Sequence, residues 1–261
     1  MYYGVVEAVS TEFAVQLFIR TAHSVSERIS SLYHKSGNNS VEDKSVVEAF
    51  AVGSGGTVGT NATLGTLRRY FASYCQYSSR YDKFKEGTIL NAFKPELSNG
   101  AVMDIGIYTI YPMIALFGRP QHIEAQGIVL HTGVDGQGAI NFSYPGMDAT
   151  VLYSKIANSF LPTEIEGEEG NLIIDQIHIA RQVDFIPRIP TAQGKSQQAT
   201  RQSLSAPLDH SPYYYEIKEF IDLVTSGQLE SSINTLDTSL ATIEVIDEIR
   251  HQLGVTYPAD L

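Results

Sequence analysis

Apolar and polar positions change their period several times along this chain, and each period predicts a different element. "YYGVVEAV", residues 2 to 9, reads as a strand, and Ser10 or Thr11 then caps a helix in which Phe13, Leu17, Ala14 and Phe18 recur at helical spacing. "RISSLYHKS" reads as a second strand, so the chain opens β-α-β, which favours a parallel pair. "TLRRYFASYCQY" alternates and is rich in Tyr and Phe, as a strand should be. "GAVMDIGIYTIYPMIALFG", residues 100 to 118, is apolar nearly all round and predicts a buried helix. Strand-like runs follow: "HIEAQGIVLHT", "GQGAINFSY", "DATVLYSKIA", "TEIEGEEGNLIID" and "RQVDFIP". Turn residues between them suit antiparallel hairpins. A polar segment, 191 to 211, is expected to be mobile. Two helices close the chain. One places Tyr213, Ile217, Phe220, Ile221 and Val224 on one face, with Gly227 beyond its end. The other carries Leu236, Leu240, Ile243, Ile246, Ile249 and Leu253 before Gly254. There is no internal repeat. The fold class expected is α/β plus α+β: a shortened Rossmann-like part over 1–63, then a domain over 64–261 with a large mixed or antiparallel sheet flanked by helices.

Composition narrows the function classes. The 261 residues are 43% hydrophobic, enough for a real core, and the net charge is −11. No Lys/Arg cluster exists to release counterions from phosphates, so a nucleic-acid partner is not expected. No uncharged apolar run of membrane-spanning length is read, and "MYYGVVEAVSTEF", with no basic n-region and an early Glu, is not read as a signal peptide. The lone Cys75 cannot form an intramolecular disulfide and reads as a small buried strand residue in a reducing, cytoplasmic setting.

Asp104 and Tyr108 carry the chemistry. Spaced i and i+4, they stack on one helix face. An ionised carboxylate in an apolar setting is costly unless paired or hydrogen-bonded. In one reading Tyr108 donates a proton to a substrate oxygen and Asp104 orients it. In the other, Asp104 is the helix N-cap and Tyr108 plain core. Pro112 clashes with the carbonyl four residues back, that of Tyr108, and predicts a kink.

The dinucleotide signals are poor. The first strand–helix turn, "VVEAVSTEFA", has no glycine, and Glu7 would repel phosphate. "GSGGTVG", 53 to 59, does not open a helix and reads as a linker. His34 and Lys35 end the second strand, where adenosine-ribose contacts lie in doubly wound sheets, and are the cofactor-binding candidates. Histidines 23, 122, 131, 178, 210 and 251 have no metal-ligand spacing, and no metal site is expected. No serine has a G-x-S-x-G context.

"YCQYSSRYDKFKEG", "NAFKPELSNGAVMDIGIYTIYPMIALFG", "IEGEEGNLIID" and the ending from "ESSINTLDTSLATIEVIDEIRHQLG" resemble, in order, the C-terminal domain of the glucose–fructose oxidoreductase / inositol dehydrogenase family (Gfo/Idh/MocA). The resemblance runs from about Leu64 to Leu261. It implies NAD- or NADP-dependent hydride transfer on a sugar, polyol or dihydrodiol, in a homodimer or larger homo-oligomer formed through the sheet. The family's aspartate, followed four residues later by His or Tyr, matches Asp104 and Tyr108. The resemblance also makes Tyr77, Arg80, Tyr81 and Lys94 candidates for substrate binding. Two departures stand out: the Gly-rich turn and the Glu-Lys-Pro signature with its catalytic lysine are both absent. Lys94 lies in "FKP" before the aspartate and does not inherit that role. Two βαβαβ halves do not fit before Leu64. A second expectation is therefore a non-catalytic member, or an internally deleted gene product, that keeps only the sheet domain.

Overall fold

The computed structural model describes residues 64–189, 200–205, 212–231 and 234–261. The predicted β-α-β unit, the 53–59 loop, His34 and Lys35 lie outside them, as does most of the polar segment expected to be mobile. Strands β1 (Leu67–Cys75), β2 (His122–Val129), β3 (Asp135–Tyr144), β4 (Met147–Ser154), β5 (Thr163–Gly167), β6 (Gly170–Ile174), β7 (Val183–Pro187) and β8 (Gln202–Ser203) form one sheet. Its order is β2-β3-β4-β1-β5-β6-β7-β8. Neighbours pair antiparallel except β1 and β4, which run parallel with Cys75 opposite Ser154. The sheet is mixed, as the hydropathy pattern and the resemblance led one to expect.

Period-2 alternation decides which face is covered. Tyr70 and Ala72 on β1, Ile140 and Phe142 on β3, and Ala149, Val151 and Tyr153 on β4 are buried on one side. Against them lie helix α2 (Ile107–Phe117) and helix α4 (Leu236–Leu253). The opposite face carries polar pairs: Arg69 Nε donates to Asp148 Oδ1 at 2.6 Å, and Thr150 Oγ1 to Asn141 Oδ1 at 2.8 Å.

The stretch Pro95–Phe117 has a mean hydropathy of 1.5 and passes for a membrane span by length and composition. It is instead core: Ile107, Ile110, Met113 and Ile114 are buried between the sheet and α4. Helix α2 runs through Pro112 without ending there. The irregularity lies upstream, where Val102–Gly106 forms a π-helical turn. The predicted polar loop before this helix contains a short helix, α1 (Tyr81–Lys85), and 3₁₀ turns over Asn91–Phe93 and Pro95–Leu97. Cys75 ends β1 half-buried, with burial raising its thiol pKa.

Helix α3 (Pro212–Ser226) forms where its pattern placed it, but its apolar face is open. Ile217, Phe220, Ile221 and Val224 are 57%, 60%, 52% and 63% exposed. On α4 the inner residues Ile246 and Ile249 are buried, whereas Leu236 and Leu240 face out. Hydrophobic period identifies a face, not what covers it. The two kinds of site should respond differently to substitution. Phe220→Ser changes stability by no more than about 0.5 kcal/mol in urea unfolding and lowers binding of a hydrophobic dye. Ile246→Ala, at a fully buried position, costs about 3 kcal/mol.

Candidate active site

The site is built on the first turns of the buried helix. Its N-terminus is closed by a side chain from another element. Asp135, fully buried at the start of β3, accepts from the amides of Ala101 at 3.1 Å and Val102 at 2.7 Å. Two of the orphan amides of a helix start are thereby satisfied. Burial raises the Asp135 carboxyl above the usual range, and the two amide bonds oppose that rise. The Tyr153 hydroxyl lies beside the same carboxyl without a well-aligned bond. Gly100 permits the approach, since a Cβ there would sit 2.2 Å from Asp135 Oδ1.

Asp104 is therefore not the N-cap. It lies inside the π-helical turn, and its amide donates to Gly100 O at 3.3 Å. Its carboxylate, 40% exposed, pairs through Oδ2 with Lys155 Nζ at 2.5 Å, and Lys155 is only 3% exposed. Lys155 Nζ also donates to the Ala92 carbonyl at 3.0 Å and lies 5.1 Å from the centre of the Phe93 ring. A buried ammonium is tolerated only with such partners.

Tyr108, half-buried, follows one turn beyond Asp104. Its ring meets Tyr74 edge-on at 5.4 Å and His178 edge-on at 6.3 Å, while His178 stacks on Tyr74 at 4.2 Å. Burial, then the charge of Asp104, raises the Tyr74 pKa. Burial lowers that of His178 and favours its neutral imidazole. The site thus has a charged side, Asp104 and Lys155, and an aromatic side, Tyr74, Tyr108 and His178.

Of the remaining candidates, Tyr77, Arg80 and Tyr81 follow the carboxyl end of β1. The Ser78 amide donates to Lys155 O at 2.8 Å, which ties the segment carrying Tyr77, Arg80 and Tyr81 to the buried lysine. The Tyr77 hydroxyl donates to Asp82 Oδ1 at 2.7 Å. Tyr81 packs on Phe93 at 5.8 Å and so reaches the Lys155 side of the site through one ring. Arg80 is exposed, and half-buried Lys94 separates the two 3₁₀ turns. Among the described residues, no group of three or more His, Cys, Asp or Glu side chains is placed to hold a metal.

Lys155, His178 and Asp135 were not singled out from the sequence as site residues. For Lys155 a signal existed. In "TVLYSK" it shares the parity of Val151 and Tyr153, so alternation alone points it at the buried face.

A pyrophosphate needs free amides at a helix start or a glycine-rich loop. Ala101 and Val102 are taken by Asp135, Leu236 N donates to Glu230 Oε1, and Thr238 N to Thr235 Oγ1. These four amides are therefore not free for a dinucleotide's phosphates.

The architecture is a mixed sheet covered on one face by α2 and α4, with a carboxylate and a phenol one helical turn apart at the site. Known proteins share it. The model of the GFO/IDH/MocA C-terminal domain matches residues 59–173, and by that domain the chain belongs to the GFO/IDH/MocA family. Over 197 residues it is 45% identical to scyllo-inositol 2-dehydrogenase (NADP(+)) IolU of Bacillus subtilis, covering 76% of this chain and 57% of that protein. It is 30% identical over 176 residues to trans-1,2-dihydrobenzene-1,2-diol dehydrogenase of Danio rerio, covering 65% and 51%. The matches thus span about half the length of these relatives. In fold it is similar to KijD10, a 3-ketoreductase from Actinomadura kijaniata solved with TDP-benzene and NADP. The TM-score is 0.52 at 19% identity, over 74% of this chain and 54% of that one.

Proposed function

We propose that this chain works on the substrate side of an NAD(P)-dependent oxidoreductase for a sugar, polyol or dihydrodiol. The observation that carries the reading is the position of Asp104. It sits inside a buried helix, ion-paired to a buried lysine, and turns a partly exposed carboxylate outward one turn before Tyr108. In the reducing direction Tyr108 gives its phenolic proton to the substrate's carbonyl oxygen, and in the oxidising direction it takes the proton back from the hydroxyl. Asp104 orients the hydroxyl-bearing carbon by accepting a hydrogen bond from the substrate. The aromatic wall of Tyr74 and His178 offers an apolar surface to the C–H face of a ring. A nicotinamide cofactor supplies the hydride in such chemistry. His34 and Lys35 are the candidates for contacts on its adenosine-ribose side. The polar open face of the sheet is the surface through which a second copy would pair.

A second reading has its own support. The amides of Ala101, Val102, Leu236 and Thr238, at the starts of α2 and α4, are already engaged and not free for a dinucleotide. A non-catalytic member would keep the substrate face and lose turnover. One experiment separates the two. The purified chain is titrated with NADPH by nicotinamide fluorescence and assayed with scyllo-inositol and NADP. Micromolar binding with turnover is expected. Absence of binding up to millimolar cofactor would sink the oxidoreductase reading and leave the non-catalytic one.

A further inference from the structure

We propose that Lys155 is the positioning residue of this site, acting through Asp104. The inference rests on the reading of Asp104 and Tyr108 as the reacting face. It goes beyond it by assigning a residue from a different element, the end of β4.

The geometry is directional. Lys155 is closed off from solvent and Asp104 is not, so the pair has an inner cation and an outer anion. The ammonium group is engaged by Asp104 Oδ2, the Ala92 carbonyl and the face of Phe93. An ammonium has three N–H donors, so little of it remains for a substrate. Its backbone is held on both sides: its amide donates to Gly136 O at 2.9 Å, and its carbonyl accepts from Ser78 N at 2.8 Å. Lys155 therefore acts on a ligand only through Asp104.

The chemistry supplies the reason for a charge at this point. When Tyr108 gives up its proton it becomes a phenolate one helical turn from the Asp104 carboxylate. Two like charges at that spacing oppose each other. A fixed cation on the inner side of Asp104, itself closed off from solvent, offsets the repulsion. The same cation holds Asp104 in one orientation, and Phe93 connects it to Tyr81 on the other side. A purely structural pair could be replaced by a neutral pair with no effect on the reaction.

The test is a double-mutant cycle on the full chain, with scyllo-inositol and NADP as probes. Wild type, Lys155→Met, Asp104→Asn and the double variant are compared for kcat, KM and thermal midpoint. Each single variant is expected to lower kcat about 100-fold, Lys155→Met with little change in KM, and the double variant to be no worse than Asp104→Asn. If Lys155→Met alone fails to fold, the double variant, which buries no unpaired charge, is compared directly with Asp104→Asn. Equal kcat supports the inference and a further loss overturns it. Multiplicative losses, or a wild-type kcat in Lys155→Met, also overturn it while leaving the oxidoreductase reading intact. A wild-type chain that neither binds nor turns over scyllo-inositol, and that matches Tyr108→Phe, removes both.

Discussion

Asp135→Ala lowers stability by about 3 kcal/mol and the thermal midpoint by roughly 10 °C. The substitution leaves the Ala101 and Val102 amides without an acceptor inside the core. It also removes the group against which Gly100 and Tyr153 are fitted. Asp135→Asn keeps one acceptor oxygen and costs about 1 kcal/mol. Its pH dependence tests the electrostatics. Burial holds the Asp135 carboxyl above the ordinary carboxylate range, so the folded chain binds that proton more tightly than the unfolded chain. The stabilising contribution of Asp135 is therefore full below the unfolded value of about 4 and declines as pH rises through the raised folded value. Asparagine does not titrate there. The deficit of Asp135→Asn relative to wild type should be greatest near the bottom of that window and shrink toward neutrality. Urea unfolding at several pH values measures it, and a deficit that grows with pH would contradict the burial account.

Tyr108→Phe should lower kcat about 100- to 10,000-fold while leaving ligand binding nearly unchanged, a loss of about 3–5 kcal/mol of transition-state stabilisation. Phenylalanine keeps the ring and with it the edge-on contacts to Tyr74 and His178. Only the proton-bearing oxygen is lost, so a fall in kcat without a rise in KM marks an interaction made in the transition state. Calorimetric binding of scyllo-inositol beside steady-state assays distinguishes the possibilities. A kcat within threefold of wild type would remove Tyr108 as the proton donor. A large rise in KM alone would make it a binding residue.

Two features tie these predictions together. The helix that bears the candidate acid is held at its start by Asp135, from β3, and at its charged side by Lys155, from β4. Adjacent strands of one sheet thus set both the position and the electrostatics of a short stretch of helix. Loss of either group should be felt at Tyr108, by different routes: Asp135 through the helix start, and Lys155 through the neighbouring carboxylate.

Much of this was legible along the chain, because periodicity is a local property. The alternation of "TLRRYFASYCQY" and "GQGAINFSY" is that of strands with one buried face, and β1 and β3 formed there. The apolar run around Asp104 read as a buried helix, and glycine ended α3 and α4 at Gly227 and Gly254, both with positive φ. The i, i+4 spacing of Asp104 and Tyr108 was visible for the same reason. What the tertiary structure alone decided concerns partners distant in sequence. Whether Asp104 capped the helix or faced a site was undecidable while the true cap, Asp135, lay in another element. The packing of the π-helical turn on β4, where Gly106 lies against the Tyr153 ring, brings Lys155 to Asp104, and no local pattern encodes which strand lies under which helix. The apolar stripe of α3 was equally plain in the sequence, yet its exposure depends on what packs on it. Local sequence determined which residues face inward on each element; only the packing of those elements decided which charge met which carboxylate.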